Sequence, residues 1–124
     1  MRKIIAVFAA LAVVGLASPA FAMSMSFKWG PTKNCNDSKS PPITVKNVPD
    51  GTRKLKFKMV DLNKPTFNHG GGTVTWKGNG DLPYGAFRYK GPCPPSPHTY
   101  EISVIALGSG NKVLATAKSR QRFP

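Results

Sequence analysis

His69 and His98 are the two histidines of the chain, and each stands near groups that can work with an imidazole. Depending on its charge, an imidazole donates, accepts or carries a proton near neutral pH. His98 lies two residues before Tyr100, so in an extended segment the imidazole and the phenol share one face. His69 opens the run His69-Gly70-Gly71-Gly72, whose bare backbone lets a ligand come close. Asp61 lies upstream of it. If these segments meet, Asp61, His69, His98 and Tyr100 line one pocket for a small anion, with Asp61 accepting a hydrogen bond that orients an imidazole. The stretch Tyr89 to His98 contains Pro92, Pro94, Pro95 and Pro97, which preset φ and withhold backbone donors. Such a stiff connector loses little entropy when something binds to it.

Other chemistries are less well served. No serine or cysteine stands in a recognisable nucleophile motif, so the chain reads as non-enzymatic. Asp61, His69 and His98 are suitable ligand types for a metal, but no close His-to-His spacing supports one. Neither a metal nor another cofactor is expected.

The elements around these residues begin with a leader. Arg2 and Lys3 precede the apolar run Ile4 to Leu16, and Ala20-Phe21-Ala22 offers the small residues a signal peptidase reads. The run is short of the roughly 20 residues that span a bilayer. Residues 1–22 are thus expected to be a secretory signal and residues 23–124 a single domain in the periplasm or outside the cell. Export makes a Cys35–Cys93 disulfide the default, because that environment is oxidising. A reactive thiol is disfavoured, since Cys93 sits between prolines without a helix N-terminus to lower its pKa.

The formal net charge is +13, or +11 without Arg2 and Lys3. Polyanions such as lipopolysaccharide or an anionic membrane are natural partners for such an excess. The cations are scattered except for Arg53-Lys54-Leu55-Lys56-Phe57-Lys58, which favours a solvated strand face over a dedicated polyanion groove. No specific nucleic-acid binding is expected.

Strand signals dominate the domain. Leu55, Phe57 and Met59 alternate with lysines, the period of a half-buried strand. Residues 73–76, 86–89 and 112–117 are shorter candidates, and Tyr100 to Leu107 reads as a central strand covered on both faces. Pro49-Asp50-Gly51, Gly78-Asn79-Gly80-Asp81 and Gly108-Ser109-Gly110-Asn111 supply turns. Without sustained helical periodicity, the fold class is all-β, with a sandwich the favoured architecture.

Several motifs in register resemble the phosphatidylethanolamine-binding protein family, which includes the Raf kinase inhibitor proteins and small bacterial relatives. They are Ser40-Pro41-Pro42, Val48-Pro49-Asp50-Gly51-Thr52, the strand from Leu55 to Asp61, Gly91-Pro92-Cys93-Pro94-Pro95 and His98-Thr99-Tyr100. The resemblance implies a Greek-key β-sandwich with a shallow pocket for phosphate-like headgroups. By position it implies ligand-binding roles for Asp61, His69, Gly91, Pro94, Pro95, His98 and Tyr100. Two departures stand out. The family's second acid is Asn63, followed by Lys64, and His69 is followed by Gly70 where the family has tryptophan. The expected function is non-enzymatic binding of a phosphate-bearing ligand or lipid headgroup. The alternative is an exported interaction or protease-inhibitor-like protein, acting through its basic surface or pocket rim.

Overall fold

In the computed structural model, which describes residues 21–124, seven strands form two antiparallel sheets. The leader expected at residues 1–22 lies, up to residue 20, outside the described residues. The strands are β1 (Ser24–Phe27), β2 (Ile43–Lys46), β3 (Lys54–Asp61), β4 (Gly71–Thr75), β5 (Asp81–Leu82), β6 (His98–Leu107) and β7 (Val113–Phe123). One sheet has the order β1-β2-β5 and the other β4-β3-β6-β7. After β4 the chain crosses through β5 in the small sheet and returns as β6 beside β3, a Greek-key path.

The alternation in β3 decides its two faces. Leu55, Phe57 and Met59 are buried while Lys54, Lys56 and Lys58 are exposed. Against them pack Met25, Phe27, Ile43 and Val45 from the small sheet and Tyr100, Ile102, Val104 and Ala106 from β6. Burying each of the larger side chains contributes about 1.5–3 kcal/mol, so this one layer supplies most of the drive to fold.

Three expectations need correction. Residues 86–89 form no strand, although Phe87 and Tyr89 are buried. Their backbone is laced to the loop before β2 by single bonds instead: Ser40 N–H donates to Phe87 O, Tyr89 N–H to Ser38 O and Gly91 N–H to Asp37 O. Strand β6 is central but covered on one face only. Its even-numbered residues from Tyr100 to Ala106 are buried, and Glu101, Ser103, Ile105 and Leu107 are half-exposed. The third correction concerns β7, which runs to Phe123 rather than stopping near residue 117, because β6 offers a ladder along its whole length. The small sheet's β1 and β2 lay outside the candidates, yet Met23, Met25 and Phe27 alternate with serines and are buried.

Two glycines of the triple run are explained by packing. A Cβ on Gly71 would lie 1.9 Å from the Phe57 carbonyl oxygen, and one on Gly72 would lie 2.6 Å from Cβ of Phe87, whose ring stacks on Phe57 at 4.9 Å. Close approach of protein to protein therefore requires them, whatever a ligand does.

Candidate functional site

The antiparallel register of β3 and β6 pairs Asp61 with Tyr100, so the end of one strand meets the start of the other. Paired residues share a face, and His98 lies two residues before Tyr100 on that same face. After Asp61 the chain turns sharply. The Asp61 Oδ1 accepts the N–H groups of Asn63 and Lys64 at 2.9 and 3.2 Å, and Leu62 N–H donates to Thr99 O. Asn63 accepts the Thr99 N–H at 2.8 Å and binds the turn to β6.

His98 and Asp61 form the central pair. Nδ1 of His98 lies 2.6 Å from Asp61 Oδ2, with both side chains largely buried. Burial pushes the Asp61 carboxyl upward, but the hydrogen bonds from His98 and from the Asn63 and Lys64 N–H groups outweigh it, so its pKa falls below the ordinary carboxylate value. The carboxylate therefore accepts and Nδ1–H donates.

His69 is anchored in the same sense. Its Nδ1 lies 2.7 Å from the Lys90 carbonyl oxygen, which can only accept, so Nδ1 again carries the proton. Lys90 N–H returns a bond to the His69 carbonyl at 2.8 Å, tying this segment to the proline-rich loop. The His69 ring packs between Phe67, at 4.6 Å between centroids, and the edge of Tyr100, at 5.5 Å.

All seven residues singled out from the sequence border one recess of about 320 Å³: Asp61, His69, Gly91, Pro94, Pro95, His98 and Tyr100. The spacing alone did not bring Lys64, Phe67 and Cys93 to it, and they complete the lining. Phe67 supplies the aromatic wall that the Gly70 departure takes away, from two residues earlier rather than one later. A lone aromatic residue in an otherwise polar segment two positions before His69 was the available signal. Cys93 arrives because it is bonded to Cys35, which holds the two loops together.

The electrostatics follow from this wiring. Burial and the neighbouring Asp61 charge push the Tyr100 phenol up to about 12, so its hydroxyl keeps its proton at working pH. With both Nδ1 atoms engaged, each imidazole has Nε2 left, and neither Nε2 has a hydrogen-bond partner among the described residues. A neutral ring presents a lone pair there and a protonated ring presents a charged donor. Among the described residues, no three His, Cys, Asp or Glu side chains are arranged so that they could hold a metal ion. A larger hollow of about 450 Å³ beside β1, β2 and β5 has only Lys28 and Asp81 as ionisable lining and offers no comparable chemistry.

No protein-family model and no curated protein matches the chain. A solved structure described as a phosphatidylethanolamine-binding protein homologue from Chlamydia trachomatis is similar to it, with a TM-score of 0.61 at 16% identity over 83% of this chain and 97% of that one. The likeness is one of fold, and the chain folds as a mainly β sandwich of the phosphatidylethanolamine-binding-protein type.

Proposed function

We propose that the recess binds a phosphate-like anion or phospholipid headgroup and does no covalent chemistry on it. The observation that carries this reading is that two imidazoles lining the same small recess, beside Lys64 and Tyr100, are each held through Nδ1, with no partner on either Nε2 among the described residues. Protonated rings add charged donors to that set, and charge-assisted hydrogen bonds are the strong ones. A catalytic reading has no free thiol to use, since both cysteines are joined in the disulfide, and no serine or threonine lines the recess. In keeping with the leader in the sequence, the protein is exported and acts in the periplasm or outside the cell.

Inorganic phosphate or phosphoethanolamine added at slightly acid pH is expected to perturb the ring resonances of both His69 and His98. Silence of both rings overturns the proposal. Affinity is expected to fall as pH rises and the imidazoles lose their protons. Affinity independent of pH removes histidine charge from the account.

A second reading, docking of a protein partner on the rim, is favoured by Phe67 and Leu62, which are 45% and 37% exposed beside the recess. A partner bound there is lost with Leu62→Ser, while phosphate still moves the histidine resonances.

A further inference from the structure

The large sheet has a second face, turned away from the core, and it is strongly basic. Lys54, Lys56 and Lys58 alternate with buried residues along β3, and exposed Lys118, Arg120 and Arg122 recur at every second position along β7. The register sets both sets on one plane, because Ser103 of β6 pairs with Lys58 on one side and with Lys118 on the other. From strand geometry, two rows of cations lie about 10 Å apart with about 7 Å between successive side chains in a row. Glu101 is the one acid among them, and it accepts a hydrogen bond from Arg120 Nε at 2.8 Å. The chain's other acids, Asp37, Asp50, Asp61 and Asp81, lie in loops, in a turn, at the recess and in the small sheet.

Cations on an edge strand protect it from pairing with other chains, and that accounts for β7. It does not account for β3, which is an interior strand with no edge to protect. Lysines spaced about 7 Å apart repel one another, a cost that an ordinary solvated face reduces by mixing signs. Beside Lys56 and Lys58 the face also has a hollow of about 270 Å³, where β4 runs Gly71-Gly72-Thr73 and has few side-chain atoms to fill it.

We propose that this face docks the protein on an anionic bilayer, with lipid phosphates meeting the two cationic rows and one settling in the glycine-floored hollow. A single nucleic-acid strand is read by stacking aromatics along a groove, and the outward positions of β3, β6 and β7 carry no aromatic side chain. They carry Ile105 and Leu107 beside Lys56 and Lys54 instead, which suit the apolar margin of a headgroup layer. No residue of the histidine recess takes part, so the inference stands or falls apart from the pocket.

The test is co-sedimentation with vesicles of phosphatidylcholine, with and without phosphatidylglycerol. Binding is expected only with phosphatidylglycerol and is expected to vanish near 1 M salt, where screening acts within about 3 Å. Each cation near an anionic leaflet contributes roughly a fivefold factor, so Lys56→Glu with Lys118→Glu is expected to weaken binding on the order of 30-fold or more. Lys28→Glu with Lys46→Glu makes the same change in net charge off this face and is expected to leave binding nearly intact. Lys56→Gln with Lys118→Gln repeats the comparison without introducing acids, should the first pair fail to fold. Equal loss in the off-face pair, equal binding to pure phosphatidylcholine, or capture of duplex DNA without vesicle binding each overturns the proposal. Insertion through the apolar run at residues 4–16 is indifferent to headgroup charge and would show as the second of these. Phosphate perturbation of the His98 resonances is expected to be unchanged in the Lys56 and Lys118 variants.

Discussion

An imidazole is a different group according to which of its nitrogens the protein has already used. Asp61 and the Lys90 carbonyl take the same nitrogen of two different rings, which makes the recess sensitive to protonation at both. Asp61 itself answers to acid. Its pKa is lowered on folding, so the stability it contributes is present in full above the ordinary value of 3.8 and is lost as pH falls through its lower folded value. Asp37 behaves alike, held down by Tyr84 and by the Lys33 and Lys39 N–H groups against the opposing effect of burial. Asp61→Asn is therefore expected to flatten the fall of Tm as pH drops below the ordinary value of 3.8, as thermal melts across acid pH would show. Tyr89 is the opposite case. Its hydroxyl is buried without a hydrogen-bond partner among the described residues, and the neighbouring Thr32 hydroxyl donates to Trp29 O. Burial raises its pKa far above the ordinary phenol value. Tyr89→Phe is expected to leave stability unchanged or raise it by up to about 1 kcal/mol in denaturant unfolding, because a buried unpaired polar group is a cost.

At the scale of elements, the recess exists because β3 ends where β6 begins, and β7 accompanies β6 to its first residue, with Phe123 paired to His98. The last turn of sequence, Arg120-Gln121-Arg122-Phe123, has one apolar residue and gives little strand signal of its own. Pairing with β6 and the anchor at Phe123 hold it in place. Phe123 packs on Trp29 at 4.9 Å, and Trp29 in turn donates Nε1–H to Arg122 O and meets the edge of Tyr100. Phe123→Ala is expected to cost about 3 kcal/mol in urea unfolding and to broaden the Tyr100 and His98 resonances, since truncating a buried aromatic leaves a cavity against both.

At the scale of the molecule, the Cys35–Cys93 bond links residues 58 apart and clamps the loop before β2 to the loop before β6. The chain-entropy model assigns such a loop about 4 kcal/mol. For a domain near 100 residues, Cys35→Ser with Cys93→Ser is expected to lower Tm on the order of 20 °C, read by calorimetry, and to loosen Gly91, Pro94 and Pro95 at the recess. The basic face belongs to this scale as well. Its cations come from two strands about 60 residues apart in order and read as scattered until the sheet is assembled.

By itself the sequence determined the all-β class, the inner face of β3, the turns at Pro49–Gly51 and Gly108–Asn111, and seven of the ten residues that line the recess, because these depend on period-two alternation, glycine and proline at turns, and side chains in motif register. Only the tertiary structure decided which ring Asp61 holds, that Phe67 walls the recess, that residues 86–89 lace a loop rather than form a strand, and that lysines and arginines from β3 and β7 share a plane. Those outcomes depend on strand register and loop contacts between residues tens of positions apart. No local pattern encodes such distances, since the free energy that selects them comes from burying both sheets at once.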